Sequence, residues 1–139
     1  MIRSKLLLAA LSTVAVSACA GPAYYQGPMS AAYEVPPKAT QAVGTVVGVY
    51  YPSTKALTWT VNYQGLSGPA TAAHIHGPAA PGANAPVVIP SAVTPSPITG
   101  GATLTDAQAA DLTAGLYYFN IHTAANPGGE MRGQMLPAK

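Results

Sequence analysis

The sequence predicts an all-β protein: an antiparallel, Greek-key-like β-sandwich of about seven strands with one short connecting helix. Three observations carry this expectation. Fourteen glycines and fourteen prolines in 139 residues suit many strands joined by turns. Several segments alternate apolar and polar residues with period two, as a sheet with one buried face requires. Only one stretch carries helix signals at both ends.

The N-terminus stands apart from that fold. Arg3 and Lys5 precede an apolar run, residues 6–16, that is too short to span a bilayer, which takes about 20 residues. A charged start, an apolar middle and small residues at its end mark a secretory signal. Residues 1–18 are therefore expected to be a lipoprotein signal peptide. Val16-Ser17-Ala18-Cys19 resembles the lipobox of bacterial lipoproteins. The resemblance implies a diacylglycerol on the Cys19 thiol, cleavage before it and acylation, typically with palmitate, of the new amine. Two or more chains anchor a protein stably where one does not. Ala20 in place of an aspartate favours the outer membrane if the source is Gram-negative. Residues 19–28, with Gly21, Gly27, Pro22 and Pro28, read as a flexible tether, and residues 29–137 as the domain.

The strands follow in order. Residues 44–51 are rich in Val and Tyr, and Pro52-Ser53-Thr54 turns the chain into residues 57–63. There Leu57, Trp59, Val61 and Tyr63 alternate with Thr58, Thr60 and Asn62, so the pair reads as a hairpin. Residues 70–76, a short piece at 87–89, residues 116–123 and residues 130–136 complete the set. Between 77 and 101, repeated prolines predict a long excursion with little further regular structure. The helix begins at Thr105-Asp106-Ala107-Gln108, a capping box with its hydroxyl at the N-cap and Gln at N3. It continues to Leu112, and Gly115 supplies the left-handed stop.

Charge excludes several functions. Without Arg3 and Lys5, four cations (Lys38, Lys55, Arg132, Lys139) balance four acids (Glu34, Asp106, Asp111, Glu130). A neutral, charge-poor domain carries no electrostatic footprint for nucleic acid. It also has no polybasic cluster for anionic lipid. The single cysteine is consumed by lipid, which leaves no disulfide and no thiolate ligand. There is no Gly-x-Ser-x-Gly elbow, P-loop or dinucleotide fingerprint. Four acids, two of them on the helix, do not suggest a glycosidase pair.

Five segments carry a resemblance: Glu34-Val35-Pro36-Pro37; Gly65-Leu66-Ser67-Gly68-Pro69-Ala70; Ala73-His74-Ile75-His76-Gly77-Pro78; Tyr118-Phe119-Asn120-Ile121-His122-Thr123; and Gly128-Gly129-Glu130-Met131-Arg132-Gly133-Gln134. In this order and spacing they resemble the CHRD domain, named for the animal protein chordin, over about residues 29–136. The resemblance implies a secreted or envelope protein and a binding or structural role without a defined catalysis. In chordin such domains belong to an extracellular protein that binds growth factors, so an envelope protein is one expected kind of partner here.

All three histidines lie in these motifs. His74 and His76 share one strand face, with Ile75 opposite. Phe119 and Ile121 share a face, with Asn120 and His122 opposite. If the apolar residues face the core and the two strands are neighbours, the three imidazoles converge. Such a set suits copper or zinc. The His-Ile-His-Gly segment also resembles the copper loop of Cu/Zn superoxide dismutases, with His122 and Arg132 in comparable order. The chain has no histidine for a fourth or bridging ligand and no zinc loop, so a complete dismutase site is not expected. Two readings of the cluster stand: a metal site of His74, His76 and His122, or a structural polar network. Asn120, Glu130 and Arg132 join either as network or ligand contacts. Glu130 is placed to accept from a histidine N–H, and Arg132 to hold a carboxylate or loop carbonyls through its fork. Met131 and Met135, on the other face, read as core.

Overall fold

The computed structural model describes residues 20–139. The expected signal, residues 1–18, and Cys19 lie outside the described residues. The chain runs β1 (Ala23–Ser30), a 3-10 turn (Ala31–Tyr33), β2 (Val43–Tyr51), β3 (Ala56–Gln64), β4 (Ala70–His76), β5 (Val87–Ser91), β6 (Ile98–Thr103), α1 (Asp106–Thr113), β7 (Tyr118–Thr123), β8 (Met131–Gln134) and β9 (Leu136–Pro137). The strands form one antiparallel sheet in the order β5-β4-β7-β8-β1-β2-β3-β6, with β9 also on β1. The non-sequential neighbours are the Greek-key-like feature. The sheet rolls until its two edges, β5 and β6, approach one another. Trp59 Nε1 on β3 donates to Ser91 Oγ of β5 at 3.1 Å across that closure.

The all-β expectation with one helix holds, with nine strands instead of about seven. Period two decides the interior. Leu57, Trp59 and Val61 point inward from β3, Val46 and Tyr50 from β2, Ala73 and Ile75 from β4, and Phe119 and Ile121 from β7. Met131 and Met135 are fully buried core residues, as expected. Burying such side chains contributes about 1.5–3 kcal/mol each. The helix has the expected capping box: Thr105 Oγ1 accepts from Gln108 N, and the Gln108 side chain accepts from Thr105 N. Gly115 follows it at φ +71°. Among the described residues no helix is long and apolar enough to cross a membrane.

Three expectations are corrected. Most of the expected tether, residues 19–28, is strand. Residues 23–30 pair with β2 along their whole length, burying Tyr25 and Met29. Gly27 belongs there because an added Cβ would overlap the Gln134 carbonyl of the neighbouring strand. Its glycine and prolines suggested irregularity, whereas close packing is what requires the glycine. The expected excursion at 77–101 contains β5, longer than the piece foreseen at 87–89, and part of β6, which the sequence reading lacks altogether. Residues 130–136 divide at Met135, whose N–H donates to Tyr117 O at 2.8 Å while its side chain enters the core.

Candidate functional site

β4, β7 and β8 are neighbours, so their faces turned away from the core form one surface. The register places His74 opposite Asn120 and Asn120 opposite Arg132. His76 stands opposite Tyr118, and Ala72 opposite His122. This surface is not the wet face that alternation suggests. The turn carrying Glu34 and the loop 77–86 reach over Asn120, Arg132 and His76, and Pro127 lies against His122, leaving His122 8% and Asn120 2% exposed. It is a second, polar layer beneath the loops.

The three histidines meet there. One ring nitrogen from each of His74, His76 and His122 lies within 4.8 Å of the others. His74 Nδ1 and His122 Nε2 are 3.0 Å apart. His122 Nδ1 lies 2.9 Å from Pro127 O, and His76 Nδ1 lies 3.0 Å from Ala85 O. A carbonyl can only accept, so both Nδ1 atoms carry the proton. His122 Nε2 is then bare, and His74 Nδ1–H donates to it. His76 Nε2 is buried with no partner among the described residues. The His76 ring stacks on Tyr118 at 4.9 Å, and the Arg132 guanidinium lies 4.3 Å from the Tyr118 ring centroid. Burial, then the neighbouring imidazoles, hold His74 below the ordinary histidine range. Burial also holds His76 below it, against the raising effect of the Ala85 carbonyl.

Beside the histidines lies a buried ion pair. Arg132 Nε and Nη2 donate to Glu34 Oε2 at 3.0 and 2.7 Å, with the two side chains 7% and 2% exposed. Asn120 Nδ2 donates to Glu34 Oε1. Arg132 also donates to Ala83 O and Asn84 Oδ1, at 3.1 and 2.6 Å. The fork thus holds a carboxylate and a loop carbonyl, as the sequence reading has it. Its role is to pin the 31–37 turn and the 77–86 loop onto the sheet. Gly129, at φ +123°, is needed here because a Cβ would press on both Asn120 and Glu34. A cavity of about 460 Å³ opens beside the pair, lined by Tyr33, Val35, Pro37 and Leu136 together with Glu34 and Arg132.

Glu130 lies elsewhere. Its carboxylate accepts from Ser67 N at 2.7 Å, Ser67 Oγ at 2.7 Å and Thr123 Oγ1 at 2.6 Å, not from a histidine. Glu130 begins one residue before β8, which carries it past the histidines to the 65–69 loop. Burial pushes its carboxyl up, but the bonds from Thr123 and Ser67 outweigh this and hold it below the ordinary range. The structure therefore brings His74, His76, His122, Asn120 and Arg132 onto one surface and sets Glu130 apart from them. The sequence reading assigns no role to Glu34, Ser67 or Tyr118. Glu34 and Ser67 lie within the recognised motifs, but their partners stand 98 and 63 positions away.

A family model for the CHRD domain matches residues 25–135. No curated protein and no solved structure matches the chain.

Proposed function

The chain belongs to the CHRD-domain family, and on that premise we propose that it is a binding or structural module held at the outer side of a bacterial membrane by lipid on Cys19. The family match over residues 25–135, nearly the whole sheet, carries the modular part of this reading. The charged start, apolar run and Val16-Ser17-Ala18-Cys19 sequence support the anchor. The polar layer suits a module: its buried charges are spent on fixing two surface loops, which gives a partner a surface of constant shape.

A lipid on Cys19 would lie near the start of β1. Residues 20–22 alone separate Cys19 from β1, a reach of about 10 Å. The register sets Ser30, at the other end of β1, level with Arg132, Asn120 and His74. Seven strand steps from Ala23 to Ser30 span about 23 Å. An anchored domain would sit close to the lipid and carry its polar layer on the half turned away from it.

Replacing Cys19 with alanine tests the anchor. The wild type should sediment with membranes and incorporate an alkyne-tagged palmitate analogue, and the variant should do neither. A Cys19→Ala protein that still sediments with membranes would reject the lipid anchor.

A further inference from the structure

We propose that His74, His76 and His122 bind one transition-metal ion of the copper–zinc class through three imidazole nitrogens. His76 and His122 present Nε2 and His74 presents Nδ1.

Four observations converge on this site. The first is topological: neighbouring strands bring a His-x-His pair and a third histidine onto one surface, with a nitrogen of each within 4.8 Å of the others. Nitrogens on one tetrahedral ion, each about 2.0–2.1 Å from it, stand about 3.4 Å apart. The widest pair must therefore close by at most about 1.4 Å, which small side-chain rotations supply, and the 3.0 Å between His74 and His122 must open by about 0.4 Å. The second is orientation. His76 and His122 each give Nδ1–H to a backbone carbonyl, the arrangement that fixes a ligating ring and leaves Nε2 as the donor.

The third is an atom without a purpose in a purely structural network. His76 Nε2 is buried and unpartnered, which costs about 1–3 kcal/mol unless something occupies it. The fourth is donor chemistry. Three neutral imidazoles suit copper or zinc, whereas calcium and magnesium require oxygen ligands. The adjacent carboxylate, Glu34, is taken up by Arg132 and Asn120. Binding requires His74 to move its proton from Nδ1 to Nε2, so the ring stays neutral. His74 and His76 are part-exposed, which leaves a route for the ion and for a water as a further ligand.

The test uses the full-length protein, purified in detergent and stripped with chelator. Titration with Cu(II) or Zn(II) should show one equivalent bound with a dissociation constant at or below about 1 μM. Cu(II) bound there should show nitrogen hyperfine structure by electron paramagnetic resonance. A His74→Asn/His76→Asn variant should lose at least about 100-fold in affinity. His74→Asn alone, at the more exposed ring, provides a variant least able to disturb folding. Its affinity should also fall while its metal-free melting temperature stays within a few degrees of wild type. Absence of binding by the folded wild type, or unchanged affinity in a folded His74→Asn variant, would overturn the site.

Discussion

A carboxylate buried without an ion pair depends on its hydrogen bonds. Glu130 is such a group: its partners include the hydroxyls of Ser67 and Thr123 and the Ser67 N–H, with the Thr40 hydroxyl also acting on it. Because folding lowers its pKa, the unfolded chain binds the proton more readily. The stability Glu130 contributes is complete above the ordinary value of 4.5 and is lost as pH falls through the lowered folded value. Glu130→Gln should therefore cost about 2 kcal/mol at pH 7. It should also flatten the acid limb of a stability–pH curve measured by urea unfolding between pH 7 and 3. Parallel curves for variant and wild type would show that other carboxylates govern acid stability. Glu34 differs in kind. Its desolvation is offset by Arg132, and such a pair adds little net stability over a well-packed apolar pair. Losing one partner of a buried pair costs about 3–5 kcal/mol, so the pair enforces one arrangement of the loops it ties.

Elements became legible where local chemistry and tertiary need agree. The hairpin of β2 and β3 shows in its alternation and turn, and α1 in its capping box. β6 does not show: Ile-Thr-Gly-Gly-Ala-Thr has weak strand propensity, and its reason for being a strand sits on β3. Gly100 pairs with Trp59, whose indole lies over the place a Cβ would occupy. An aromatic covering a cross-strand glycine at a sheet edge supplies packing that the edge strand's own residues do not. β1 was hidden for a related reason, since Gly27 answers to a carbonyl 107 positions later. The site follows the same division. Period two revealed the shared face of His74 and His76, but the partners of Arg132 and Glu130 required the sheet order. Gly100→Ala should displace the indole, break its bond to Ser91 and destabilise the fold by about 1–3 kcal/mol. Trp59 is the one tryptophan, so its emission reports the change directly. A red shift with a lowered unfolding midpoint is expected, and an unshifted spectrum would mean the indole is not held by Gly100.

At the scale of the molecule, the segment that looks most dispensable lies at the centre of the sheet. β1 sits between β8 and β2 and also carries β9. It joins the half of the sheet bearing the histidines to the half bearing Trp59. Without it, β8 and β2 would each expose an unpaired edge, an invitation to aggregate. Tyr25 and Met29 would leave the core, and Ser30 would no longer cap the turn that presents Glu34 to Arg132. A tether can be deleted without penalty, whereas a central strand cannot. Deleting residues 20–30 should therefore abolish cooperative thermal unfolding by circular dichroism and make the remainder protease-sensitive. Shortening residues 20–22 alone should leave the melting curve near that of wild type. Were the larger deletion to melt cooperatively near the wild-type midpoint, β1 would be an appendage after all. The domain would then begin at the 31–37 turn, and its polar layer would hold together without the strand that links the two halves.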